Sequence, residues 1–226
     1  VKTIDMTKGS PIGHILRFAI PLLVGNVFQQ LYNMVDSLVV GNFVGADALA
    51  AVGNCGSVHS LFIALANGLS IGIGILAAQF FGARNEKRIR TVIANGIYLL
   101  GVVGLLTSVV GILLARPVMR LLGTPDSILA DSVIYMCVTC IGMFGIAFYN
   151  GTAAILRALG DSRTPLYFLV LSCLVNIVLD LLFVLQFNWG VFGVALATVV
   201  SEYVAAASCI LYAYRQSELF RLKREE

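Results

Sequence analysis

The stretch from Pro165 to Phe187, PLYFLVLSCLVNIVLDLLFVLQF, carries Asn176 and Asp180 inside an otherwise apolar run. A run of this kind is long enough to cross a bilayer, which takes about 20 residues. The two polar residues are four positions apart, so a helix sets their side chains on one face, one turn above the other. An ionised carboxylate at that depth costs at least about 2.5 kcal/mol on insertion scales. Such a group is tolerated where it faces a bundle interior and binds something. Asp180 is therefore the first candidate functional residue.

The rest of the chain fits a membrane setting. Of its 226 residues 59% are hydrophobic and 12% charged, against about 25% charged in soluble domains. The mean hydropathy is +0.93. Apolar runs predict an all-α integral membrane protein with six spans, at approximately 15–40, 49–79, 91–115, 128–156, 165–187 and 192–214. Residues 1–214 form one bundle, and 215–226 a charged cytoplasmic tail or linker. The first residues, VKTIDMTKGSPIGHILR, are too mixed for a cleavable signal, and Val1 in place of Met suggests a trimmed start.

Charge distribution sets the expected topology. Lys2, Lys8 and Arg17 precede the first span, and Arg84, Lys87, Arg88 and Arg90 separate the second from the third. Arg157 and Arg163 lie between the fourth and fifth, and Arg215, Arg221, Lys223 and Arg224 follow the sixth. Only Arg116 and Arg120 fall on the other side. The positive-inside rule then predicts a multi-pass plasma-membrane protein with both termini cytoplasmic. These short basic clusters flank membrane helices and do not point to nucleic acid. Cys55, Cys137, Cys140, Cys173 and Cys209 sit in apolar surroundings and read as small packing residues rather than zinc ligands.

Polar residues elsewhere mark a cavity. After Pro21, expected to kink the first helix, Asn26, Gln29 or Gln30, Asn33 and Asp36 recur at three- and four-residue steps. That stripe either lines a cavity or bonds to neighbouring helices; for Asp36 a functional role is the stronger expectation. In the second span Gly68 and Gly72 form a G-x-x-x-G that allows close helix approach. The third span is expected to be scaffold ending before Arg116-Pro117. Tyr135 and Asn150 in the fourth span are further cavity candidates. So is Glu202 in the sixth, which shares a face with Thr198. Gly160 should end the fourth helix, with Thr164 and Pro165 as cap and first position of the fifth. His14 and His59 read as lone histidines near membrane edges. A short echo links FVGADALAAVG (43–53) with VFGVALATVV (191–200), a faint hint of an internal repeat.

Three segments resemble the multidrug and toxic compound extrusion family: DSLVVGNFVGADALAAV, AAQFFGARNEKR and, most specifically, ILRALGDSRTP. The resemblance covers essentially the whole chain. It implies a transporter of twelve helices in two six-helix lobes, of which this chain supplies the N-terminal lobe. The missing C-terminal lobe, or a second copy of the chain, would complete it. The family's coupling-cation site falls on Asp36, Asn176, Asp180 and Thr198, which would also hold the metal ion if Na+ is the coupling ion. Gln29, Asn33, Tyr135, Asn150 and Glu202 would belong to the substrate cavity or surround the site, although an amide is more usual at position 202.

The resemblance thus implies a secondary antiporter for multidrug efflux, exporting amphipathic organic cations and other xenobiotics in exchange for Na+ or H+. No further cofactor is expected. Two neighbouring carboxyls cannot both ionise cheaply, and the oxygens of Asn176 and Thr198 suit a hard cation. A lipid-linked precursor flippase is the alternative, but it calls for a basic cavity. A membrane scaffold leaves Asp36 and Asp180 unexplained. An enzyme is not expected, since no helix clusters a nucleophile with a base.

Overall fold

The computed structural model describes residues 11–220. Lys2, Lys8, Arg221, Lys223, Arg224 and the side chains of His14 and Arg17 lie outside the described residues. Six helices follow in order: α1 (Pro11–Val39), α2 (Ala46–Gly82), α3 (Glu86–Leu121), α4 (Asp126–Ala158), α5 (Arg163–Leu181) and α6 (Gly190–Gln216). Among the described residues there is no strand. The helices α2 to α6 are each long and apolar enough to cross a membrane. The 29-residue α1 runs through Pro21 without a break in its helical backbone.

The helix α4 is the hub, packed against α2, α3 and α6, while α5 joins α6 to α1. Burial follows this order: 56% of the most apolar window of α4 and 50% of that of α6 are enclosed, against 22% for α2 and α3. In lipid, association relies on close contact rather than on hiding apolar surface, and α4 obtains it through small residues. A side chain on Gly74 would meet the Ala154 Cβ at 3.2 Å, and one on Gly104 would meet the Phe144 Cα at 3.2 Å.

This corrects the expectation for Gly68 and Gly72. Both face open space with nothing near enough to touch an added Cβ. Gly74 lies two residues on, about 200° around the helix, and makes the approach to α4 instead.

Helix ends bring two further corrections. The helix α3 does not stop before Pro117 but continues to Leu121. The proline forfeits one backbone bond, yet Ala115 and Met119 on either side are buried in the core with Cys55 and Met136. That packing holds the last turn, and Asn54 fastens the following loop by donating to Thr124 Oγ1 at 2.7 Å. Gly160, at φ 95°, does follow the end of α4, but α5 begins at Arg163, ahead of Thr164. Asp161 supplies the cap, because its Oδ1 accepts from the N–H groups of Arg163 at 3.2 Å and Thr164 at 3.0 Å.

The echoed segments are structurally alike in one respect. The first begins inside a π-helical turn, Val40–Val44 after α1, and the second follows another, Leu182–Gln186 after α5, and the two turns touch. They relate α2 to α6, so they are not the mark of a three-helix repeat, which would pair α2 with α5.

Candidate cation site and cavity

The C-terminal half of α1 carries Asp36 towards α5, where Asn176 and Asp180 stand one turn apart, and Thr198 approaches from α6. Asn176 and Asp180 are fully enclosed, while Thr198 is 4% and Asp36 7% exposed. Close approach of α1 to α5 comes from Gly25, where an added Cβ would lie 3.3 Å from the Leu169 Cδ2. The structure thus brings together all four residues of the expected cation site.

Their hydrogen bonds are short of donors. With its amide oriented to suit its neighbours, Asn176 donates to Asp180 Oδ2 at 3.0 Å and accepts from the Thr198 N–H at 3.3 Å. Thr198 Oγ1 donates to the Val194 carbonyl at 3.1 Å and receives the Tyr32 hydroxyl at 3.5 Å, the long limit for such a bond. The carboxyls of Asp36 and Asp180 lie within hydrogen-bonding reach of each other, and no basic side chain figures in their interactions. Asp36 Oδ1 and Asp180 Oδ1 are both buried without any partner.

Burying a charge without a partner is expensive, so this excess of acceptors calls for a positive species between the carboxyls. Either a proton or a small hard cation meets the need. The carboxylates and the Thr198 hydroxyl, joined by the Asn176 oxygen when its amide turns the other way and faces Asp180 Oδ2, are the oxygen type preferred by such cations. Among the described residues no three His, Cys, Asp or Glu side chains gather as a transition-metal site. Cys55, Cys140 and Cys209 are free and fully buried.

Asp36 also opens onto a cavity of about 790 Å³ between the helices. Its wall includes Gln29, Asn33, Tyr135, Asn150 and Glu202, the residues expected to line a cavity or surround the site, and also Pro21. Asn176, Asp180 and Thr198 lie behind that wall, so Asp36 alone of the four faces both compartments. Gln29, not Gln30, is the glutamine that lines it.

The cavity also holds residues that sequence reasoning passed over. Tyr32 lies four positions before Asp36, so its place on the same face was available from spacing. His59 is on the cavity wall rather than a bystander at the membrane edge, and its Nε2 is buried without a partner. Its immediate neighbours on α2 are mostly apolar, but Ser60, Asn67 and Ser70 line the same cavity at helical spacing, a sparse polar stripe that could have pointed to it. Arg157 lines the cavity beside Tyr149 and Pro165, where sequence alone read it as a cytoplasmic-loop charge.

Comparison with known proteins agrees with this architecture. The family model MatE matches residues 21–182. The probable multidrug resistance protein YoeA of Bacillus subtilis is 32% identical over 86% of this chain and 43% of its own length. The probable multidrug resistance protein YpnP of the same organism is 30% identical over 94% of this chain and 48% of its own. A crystal structure described as MATE in the straight conformation superposes with a TM-score of 0.91 at 29% identity, covering 100% of this chain and 50% of that one. The bent conformation gives 0.89 at 30% identity, over 96% and 49%. The chain spans about half the length of the relatives it matches. It belongs to the MatE family.

Proposed function

We propose that this chain works as one six-helix lobe of a secondary antiporter. It would export amphipathic organic cations in exchange for Na+ or H+, completed by a C-terminal lobe or a second copy of itself. The observation that carries the reading is the buried Asp36–Asp180 pair, in which one oxygen of each carboxyl lacks a partner and which opens to the cavity through Asp36. Asp36, Asn176, Asp180 and Thr198 form the coupling-cation site on this reading.

The mechanism follows from where the two carboxyls are anchored. Asp180 is fixed on α5 by Asn176, which also ties it to α6. Asp36 belongs to α1, whose contacts run to α5 and the adjoining turn. A bound cation draws Asp36 onto Asp180 and fastens α1 to α5. Without it, like charges push the helices apart, and α1 changes the shape of the cavity it lines. Substrate and coupling cation then favour opposite positions of α1, and each displaces the other. The topology proposed from charge, with both termini cytoplasmic in the plasma membrane, puts Arg157 at the cytoplasmic mouth. A precursor flippase is disfavoured, because the cavity lining sets two carboxyls, Asp36 and Glu202, against the one guanidinium of Arg157.

Ethidium efflux from proteoliposomes under an imposed Na+ or pH gradient tests this reading, with the chain reconstituted alone and with Asp180→Asn alongside. Gradient-driven efflux lost in the variant supports both the site and assembly of two copies. Efflux that survives the substitution removes the site from the mechanism.

A further inference from the structure

Glu202 is a third carboxyl in the cavity region, and the coupling pair does not account for it. It lines the cavity wall, and its Oε2 is buried with no hydrogen-bond partner. That oxygen occupies a notch in α4 made by Gly142: a Cβ added at Gly142 would overlap Glu202 Oε2. The residues on both sides of Glu202 are fastened. Ser172 Oγ on α5 donates to the Ser201 carbonyl at 2.8 Å, Ser201 Oγ to the Thr198 carbonyl at 2.7 Å, and Tyr203 Oη to the Ile141 carbonyl on α4 at 3.0 Å.

Among the described residues Arg157 lines the same cavity, but no basic side chain figures in the interactions of Glu202. Tyr32 on α1 and Tyr135 on α4 are close enough to sense it, as they sense Asp36, and Tyr203 on its own helix does the same. Tyr32 and Tyr135 both line the cavity. A carboxyl held beside tyrosine rings on the wall of a cavity has the chemistry that holds an organic ammonium or phosphonium ion. Asp36 is engaged with Asp180, whereas Glu202 is held apart from that pair on α6.

We propose that Glu202, seated in the Gly142 notch, reads the positive charge of an organic cation in the cavity, separately from the coupling-cation site. This rests on the reading of the cavity as the substrate route. It also assigns charge recognition and energy coupling to different residues, so the two can be lost independently.

The test is equilibrium binding to the purified full chain in detergent, using tetraphenylphosphonium and its uncharged relative triphenylphosphine oxide. Glu202→Gln should weaken tetraphenylphosphonium binding by at least about tenfold and leave the oxide unchanged. Glu202→Asp should recover part of the cation affinity. Unchanged tetraphenylphosphonium binding in Glu202→Gln overturns the proposal. Equal loss of both probes overturns it too, because the residue would then be shaping the cavity rather than reading charge. Radiolabelled sodium and proton uptake by the same variant keep the two readings apart. Cation uptake that survives Glu202→Gln alongside lost phosphonium binding supports the separation, whatever becomes of Asp180 in coupling.

Discussion

Replacing Asp180 with Asn removes one of two buried carboxyls while keeping the size of the side chain and an oxygen for Asn176. Two unit charges at about 3 Å, the hydrogen-bond range, repel by about 5 kcal/mol at an effective dielectric of about 20. The native chain carries that repulsion whenever the site lacks a cation or proton, and loses it on binding. A cation at about 100 times its Kd stabilises the fold by about 2.7 kcal/mol. At 2–4 °C per kcal/mol for a chain near this size, Tm should rise by roughly 5–10 °C. Thermal unfolding of the purified chain in detergent, followed by Trp189 fluorescence, reads this directly. The native chain should be stabilised by added Na+, by acidification, or by both. Asp180→Asn should lose the Na+ response and keep only a smaller acid response from the remaining buried Asp36 carboxyl, and in cation-free alkaline buffer it should be the more stable of the two. An equal Na+ or acid response in Asp180→Asn would refute the reasoning, and so would a native chain that responds to neither.

Other expectations follow from the same structure. Thr198→Val removes a site oxygen and the acceptor for Tyr32, and should weaken cation binding several-fold, for about 1 kcal/mol, in a titration of the purified chain. Gly74→Leu drives a side chain into Ala154 and should destabilise the bundle by about 1–3 kcal/mol, whereas Gly72→Leu, facing open space, should stay within about 0.5 kcal/mol; parallel melting curves separate them. Asp161→Ala removes the α5 cap and the acceptor at 3.3 Å for Tyr212 Oη, and should cost about 1 kcal/mol, read as a lower Tm.

Some of this was legible in the sequence because lipid makes polar residues conspicuous. Asn176 and Asp180 stand out at helical spacing in an apolar run, and the stripe ending at Asp36 has the same period. What spacing cannot give is the partner across a helix interface. The Gly142 notch and Glu202 are 60 positions apart in sequence, so only the packing of α4 on α6 reveals that one accommodates the other. The G-x-x-x-G of α2 illustrates the reverse case, since the motif is present but its face is turned away from α4. Pro117 and Thr164–Pro165 misplace two helix ends for local reasons. A buried Met119 outweighs one lost backbone bond, and Asp161 competes for the cap with better geometry than Thr164. Arg157 lines the cavity because of how α4 is rotated, which its own neighbours in sequence do not encode, whereas His59 belongs to the sparse stripe of Ser60, Asn67 and Ser70.

The account rests on one shared positive species between Asp36 and Asp180. The most direct test is cation uptake by the purified chain, measured as radiolabelled sodium bound and as protons exchanged when the detergent-solubilised protein is shifted between buffers. The account predicts saturable uptake of a single Na+ or proton per chain, with Na+ uptake abolished and proton uptake diminished by Asp36→Asn and by Asp180→Asn separately. Uptake that persists undiminished in either variant would contradict it.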